Sequence, residues 1–349
     1  MKANSSHITR KRSHFAILIL ALVFPTLAAT ARADTIYVAD SGNNVIYRYS
    51  PDGSRSVFAS TGLSRPQGLV FDTAGNLFVA NYGNNTIARF TPGGAVSTFA
   101  STGLSGPAGL AFDSSGNLYA ANQINSTIMR FTPEGVGSLF ASGGFLYPGG
   151  LAIDHAGNVF VTADSAMGHA IVSFTPAGVE SIFASGLSQP TLLAFDSAGN
   201  LYAGSYGYSR IDRFTPDGVR STFAEGQNYP YGMAFDSAGD LYVANVYGGT
   251  VQRIKPDGAS SVFAAGLSGG PTGVAIIPEP PTWTLLTLLL PALLCLRHRA
   301  RNWKLCAQVQ RRWQETAWLR SGAVACGGDC FLATKTGPPI SVFSSGVGC

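Results

Sequence analysis

The chain has 349 residues, 46% of them apolar and 12% charged, enough apolar material for one large domain or two ordinary ones. Aromatic residues at 11% exclude a disordered polymer, and 42 glycines and 19 prolines, too few and too dispersed, exclude a collagen-like one. The formal net charge of +4 hides an asymmetry: residues 1–33 carry five basic groups and no acidic one, residues 281–349 eight and two, and the stretch 34–280 ten basic against seventeen acidic. The central stretch is therefore acidic, which disfavours nucleic acid and anionic lipid as partners.

Residues 1–33 read as an export signal. Lys2, Arg10, Lys11 and Arg12 form a basic leader, Phe15 to Ala29 is an apolar run too short to span a membrane comfortably, and Ala31-Arg32-Ala33 is a small-x-small cleavage pattern. The mature chain is expected to begin at Asp34. An uncleaved anchor is the alternative, disfavoured by Pro25 and the cleavage pattern.

From Thr35 onward the chain repeats. A proline opens each unit, followed in most by glycine two residues later: Pro66-Gln67-Gly68, Pro107-Ala108-Gly109, Pro148-Gly149-Gly150, Pro190-Thr191-Leu192, Pro230-Tyr231-Gly232 and Pro271-Thr272-Gly273. The prolines lie 41, 41, 42, 40 and 41 residues apart, a period that indicates a propeller or solenoid. In the first full unit, 68–71, 77–81, 86–90 and 96–99 read as strands, and the Gly-, Asn-, Asp- and Pro-rich turns between them leave no room for a helix. Upstream, 35–39, 45–49 and 54–58 match strands two, three and four without a first; downstream, 273–276 matches a first strand with nothing after it. Pairing these ends predicts an all-β, six-bladed β-propeller over 34–277, with four-stranded antiparallel blades and no open edge at the closure. The motifs P-x-G, D-x-x-G-N, L-(Y/F)-V-A-N, G-N-N-x-I and R-F-T-P-D-G, as in Pro230 to Gly258 and Asp40 to Gly53, resemble NHL repeats from Thr35 to Ile277. That resemblance implies the six-bladed fold. Related propellers include the gluconolactonase and regucalcin type and the streptogramin lyases, so it implies no single activity.

Beyond the repeats, Ile277-Pro278-Glu279-Pro280-Pro281 precedes an apolar stretch, Thr282 to Leu296, and then Arg297, His298, Arg299 and Arg301. As a helix the stretch would be ~23 Å long, short for a ~30 Å hydrocarbon core but workable with Trp283 and the arginines at the interfaces. The positive-inside rule keeps the arginines cytoplasmic and everything before Pro278 outside. These three elements, in order over 278–301, resemble the PEP-CTERM sorting signal of exported bacterial surface proteins. The resemblance implies transient membrane anchoring and an exosortase-type partner cutting at or near Pro278, Glu279 and Pro280. Such signals end just after the basic cluster, whereas this chain continues over 302–349. That tail has no repeat or amphipathic pattern and reads as disordered. It holds four of the five cysteines, and Cys295 lies in the apolar stretch, so the exported part has none and depends on packing.

Connectivity puts the loops joining strands two and three, and those leading to the next unit, on one face of the ring; the D-x-x-G-N and T-P-x-G turns lie on the other. Asp72, Asp113, Asp154, Asp196 and Asp236 each precede a glycine by three and fit turn caps better than a cation site, which needs converging oxygens. Arg48, Arg89, Arg130, Arg213 and Arg253 recur in the third strand, where covering blade surfaces suits them better than binding phosphate. A polar ring ends strand two on the loop face: Asp40, Asn81, Asn122, Asp164 beside Ala163, Ser205 and Asn245. These residues can turn oxygens toward a small ligand, and they are equally good loop starts. Less symmetric are Tyr206, Tyr208, Tyr229, Tyr231 and Tyr247, which with Arg210 fall on neighbouring loops of this face and suit a platform for a sugar or peptide. Tyr231 stands where Ala108 and Gly149 are small, so it should project toward the channel mouth. Catalysis finds little support. The P-x-G ring lacks the carboxylates that a gluconolactonase-type metal site implies, no metal or cofactor is indicated, and only His169 is placed for a lyase-type role. The sequence thus predicts an exported cell-surface or extracellular-matrix binding or scaffold propeller recognising a saccharide or peptide on the loop face, its ligand residues being the five tyrosines, Arg210, Asn81, Asn122 and Asn245. A lactonase- or lyase-like enzyme at the channel is the alternative.

Overall fold

The structure, a computed structural model, describes residues 34–166 and 168–278. They form six small antiparallel sheets arranged as an all-β, six-bladed propeller, with no helix among the described residues. Blades are numbered from the closing one. In blade two, Pro66–Phe71 is innermost, followed outward by Leu77–Asn81, Thr86–Phe90 and Val96–Ala100. Blade three, from Pro107–Phe112 out to Gly137–Ser142, blade five, from Pro190–Phe195 out to Arg220–Ala224, and blade six, from Pro230–Phe235 out to Ser260–Ala264, repeat the order. The second strand is buried along its whole length in these blades, which explains its apolar sequence up to the polar residue that ends it.

Aromatic residues lock each blade to the next. Tyr37, Phe78, Tyr119, Phe160, Tyr202 and Tyr242 occupy one position of successive second strands, each edge-on to a phenylalanine of its own outer strand at 4.9–5.1 Å between centroids. Four of them also meet a phenylalanine at the end of the following inner strand, Phe71, Phe112, Phe195 or Phe235. Such edge-to-face pairs add about 0.5–1.5 kcal/mol each beyond area burial. Around the channel the inner strands touch backbone to backbone. A Cβ on Gly68, Gly109, Gly150, Gly232 or Gly273 would run into the carbonyl of the residue after the next blade's proline, so this close approach is why P-x-G ends in glycine.

The ring closes as the sequence predicts: Pro271–Pro278 is the inner strand of blade one and pairs antiparallel with Asp34–Asp40, from Asp34 opposite Pro278 to Asp40 opposite Pro271. The Asp34 carboxylate then accepts from Ser237 N at 2.5 Å and Ser237 Oγ at 3.1 Å, tying the chain start to a turn of blade six. One boundary needs correction. Pro278, expected to open the sorting segment, is the last residue of the closing strand, because its carbonyl side still fits an edge opposite Asp34. The export signal at 1–33, the rest of the sorting segment with Glu279 and Pro280, and the tail at 302–349 lie outside the described residues.

Blade four departs from the pattern. Pro148, Gly149 and Gly150 interrupt its inner strand, leaving Leu151–Ile153 and a separate two-residue strand, Phe145–Leu146. Both pair with Val159–Ser165, which turns directly into Gly168–Phe174. An extended hairpin thus rises on the loop face where other blades have a four-residue loop, and Asp164 lies opposite His169 within it.

Candidate functional site

The residue after each unit's proline stands at the channel, and these six positions differ sharply in reach. Thr191 Oγ1 donates to Pro230 O at 2.7 Å and Thr272 Oγ1 to Pro66 O at 2.8 Å, so both tie seams. Tyr231 crosses the ring, its hydroxyl donating to Gln67 Oε1 at 2.9 Å. Burial in the channel pushes its phenol up to about 12. At Ala108 and Gly149 almost no side chain exists. The result is a pocket of about 300 Å3 opening on the loop face, bordered by Tyr231, Tyr206, Tyr147, Gln123, Gln189 and Thr191.

The hairpin of blade four forms the pocket's side. His169 Nδ1 contacts Asp164 Oδ1 closely, both side chains line the pocket, and they are 40% and 41% exposed. A carboxylate on Nδ1 fixes the ring and leaves Nε2 as the free nitrogen. The pair escapes a reading that treats Asp164 as a loop start and His169 as a loop residue; both lie in strands. Its signal is spacing: Ala163 and Ala170 match Asn81 and Thr86, so blade four has six intervening residues instead of four, with Gly168 at positive φ completing a tight hairpin.

The tyrosines divide. Tyr206, Tyr229 and Tyr247 stack together, with centroids 4.3 Å apart for the first pair and 4.4 Å for the second. A hydrogen bond with Tyr247 is the main cause that raises the Tyr206 phenol to about 12. Tyr206 is also the member that reaches the pocket. Tyr208 stands apart from the platform expected for it, 54% exposed, with the Arg210 guanidinium over its ring at 4.7 Å. Arg210 in turn is held by Asp212, 2.9 Å from its Nε, while Arg220 and Ser205 Oγ take the other carboxylate oxygen at 2.7 and 3.0 Å. Asp212 is fully buried, and a buried carboxylate needs such partners; Arg210 therefore serves the blade and does not line the pocket.

Three further expected ligand residues are turned inward. Asn81 Nδ2 donates to Gly62 O at 3.0 Å and Thr86 Oγ1 at 3.1 Å, and its Oδ1 accepts from Ser64 N at 3.1 Å. Asn122 repeats this with Gly103, Thr127 and Ser105. Asn245 is equally buried, beside Gln227 at 3.5 Å. A buried amide is most stable with its groups paired, and at Asn81 and Asn122 that need fixes the incoming loop of the blade. The turn aspartates act as caps: Asp72 accepts from Ala74 N, Asn76 N and Asn76 Nδ2 at 2.7–2.9 Å, with the same arrangement at Asp113, Asp154 and Asp196. Among the described residues no three His, Cys, Asp or Glu side chains converge as a metal-binding group, and the channel ring does not fit a gluconolactonase-type ligand set.

Residues 22–101, which include the first two blades apart from the closing strand, match the family described as SMP-30/gluconolactonase/LRE-like region. No curated protein sequence matches the chain significantly. Solved structures are similar in fold at low identity. A nidogen/laminin complex gives a TM-score of 0.63 at 20% identity, covering 70% of this chain and 98% of that chain. A streptogramin B lyase gives 0.56 at 16%, covering 68% and 82%. A virginiamycin B lyase from Staphylococcus aureus gives 0.55 at 16%, covering 72% and 90%.

Proposed function

We propose that this chain is an exported binding propeller, held at the cell surface by its C-terminal sorting segment until an exosortase-type enzyme processes it, and that its channel-mouth pocket binds an extracellular saccharide or peptide. The observation that carries the binding reading is the pocket itself, in which Tyr147, Tyr206 and Tyr231 surround neutral hydrogen-bonding groups on one face of a rigid ring. The basic leader, the cleavage pattern and the Pro-Glu-Pro segment support export and tethering. Glycan and peptide arrays probed with the protein test the reading. Tyr231→Ala and Tyr206→Ala should each weaken binding at least roughly tenfold, as loss of a stacking contact does, while Tyr208→Ala leaves it unchanged. Equal binding by all three variants would place the ligand elsewhere.

The His169–Asp164 pair favours a second reading, an enzyme of the lactonase or lyase type with His169 as general base and Asp164 orienting it. Turnover of lactones or of a streptogramin that disappears in His169→Ala would establish it. Absence of turnover in the unmodified chain would leave binding alone.

A further inference from the structure

The pocket's charge selects among ligands. Among the described residues, Asp164 is the only carboxylate lining it, and no arginine or lysine does. The surrounding stretch 34–280 is itself acidic, with seventeen acidic against ten basic side chains. An anionic ligand meets repulsion both at contact and at distance, whereas a cation is attracted. Tyr147, Tyr206 and Tyr231 line the same pocket and add to that preference, because aromatic rings attract ammonium groups. Gln123 and Gln189 supply uncharged donors and acceptors of the kind that match sugar hydroxyls.

We infer that the pocket takes a protonated amino sugar, its ammonium beside Asp164 and its ring against tyrosine, an inference that rests on the binding reading above. A peptide lysine is the competing cation, but its slim chain calls for a narrow slot. This cavity is open and, at about 300 Å3, sized for a ring.

Calorimetric titration of the full chain with a glucosamine tetramer, its N-acetylated counterpart, a neutral glucose oligomer and a lysine-containing peptide tests this. At pH 7 the glucosamine tetramer should bind roughly three- to tenfold tighter than the acetylated one, a modest factor because the carboxylate is half exposed. Asp164→Asn should bring the two to equal affinity, and His169→Gln should keep the preference for the amine. If acetylated or neutral oligomers bind as well as the amine while Tyr231→Ala still abolishes binding, the amino-sugar inference is overturned and the saccharide reading stands. Tighter binding of the lysine peptide overturns the inference in favour of peptide. Binding by none of the four overturns both.

Discussion

The residue before each inner-strand proline is left-handed in all six blades. It is Gly106 or Gly270 in two, but Arg65, Tyr147, Gln189 and Tyr229 in the others, with φ between +47° and +59°. A side chain in that conformation costs on the order of 1–2 kcal/mol. Of the four, Tyr147 and Gln189 line the pocket, Tyr229 joins the tyrosine stack and Arg65 lies outside both, so half of the strained side chains face the ligand site. Tyr147→Gly should accordingly raise the unfolding free energy in urea by about 1 kcal/mol while weakening ligand binding. Arg65→Gly, outside the pocket, should leave binding alone. Gly106-Pro107 and Gly270-Pro271 disclose this conformation in the sequence, but four bulky residues conceal it, since nothing in the identity of a tyrosine announces positive φ. Tyr231 supports a second test. Its phenol is raised to about 12, so the protonated form is favoured in the folded ring. The stabilisation is complete below about pH 10 and is lost as pH rises from there to about 12. In an alkaline absorbance titration, Tyr231→Phe should remove one late-ionising phenol.

Among elements, the inner strands and the hairpin of blade four differ in how far the sequence disclosed them. The 41-residue period located the strands of the regular blades because each turn carries its own chemistry, such as Asp72 with Gly75 and Asn76. It could not show that Pro148-Gly149-Gly150 breaks a strand, because those three residues also satisfy the P-x-G pattern met by intact strands. Nor does a single-residue motif reveal that Asn81 is buried, since the loop it binds lies 17 residues away. The seams are the element most sensitive to added volume. Gly109→Ala would press a methyl into the Gly149 carbonyl of the next blade and should lower stability by roughly 1–3 kcal/mol, read as a drop of several degrees in thermal midpoint. Gly93→Ala, with only Thr91 Oγ1 near at 3.9 Å, should stay within about 0.5 kcal/mol.

At the scale of the whole molecule, the +4 of the full chain belongs to its two ends, and the ring between them is acidic. The ring's own first and last residues meet: Asp34 and Pro278 are opposite partners on the turn face, and the pocket opens on the loop face. A ligand in the pocket and a tether at Pro278 would therefore pull from opposite faces, along the axis of the closing strand. Its ladder hydrogen bonds run across that axis, so such a load shears them together. A pull between the adjacent ends at Asp34 and Pro278 would instead unzip them one after another. Force spectroscopy should show a higher rupture force for the ligand-to-tether geometry than for the end-to-end geometry. If the chain is anchored through Pro278, as proposed above, closing the ring with that strand would make the propeller mechanically strongest in the direction in which an anchored binder would be loaded.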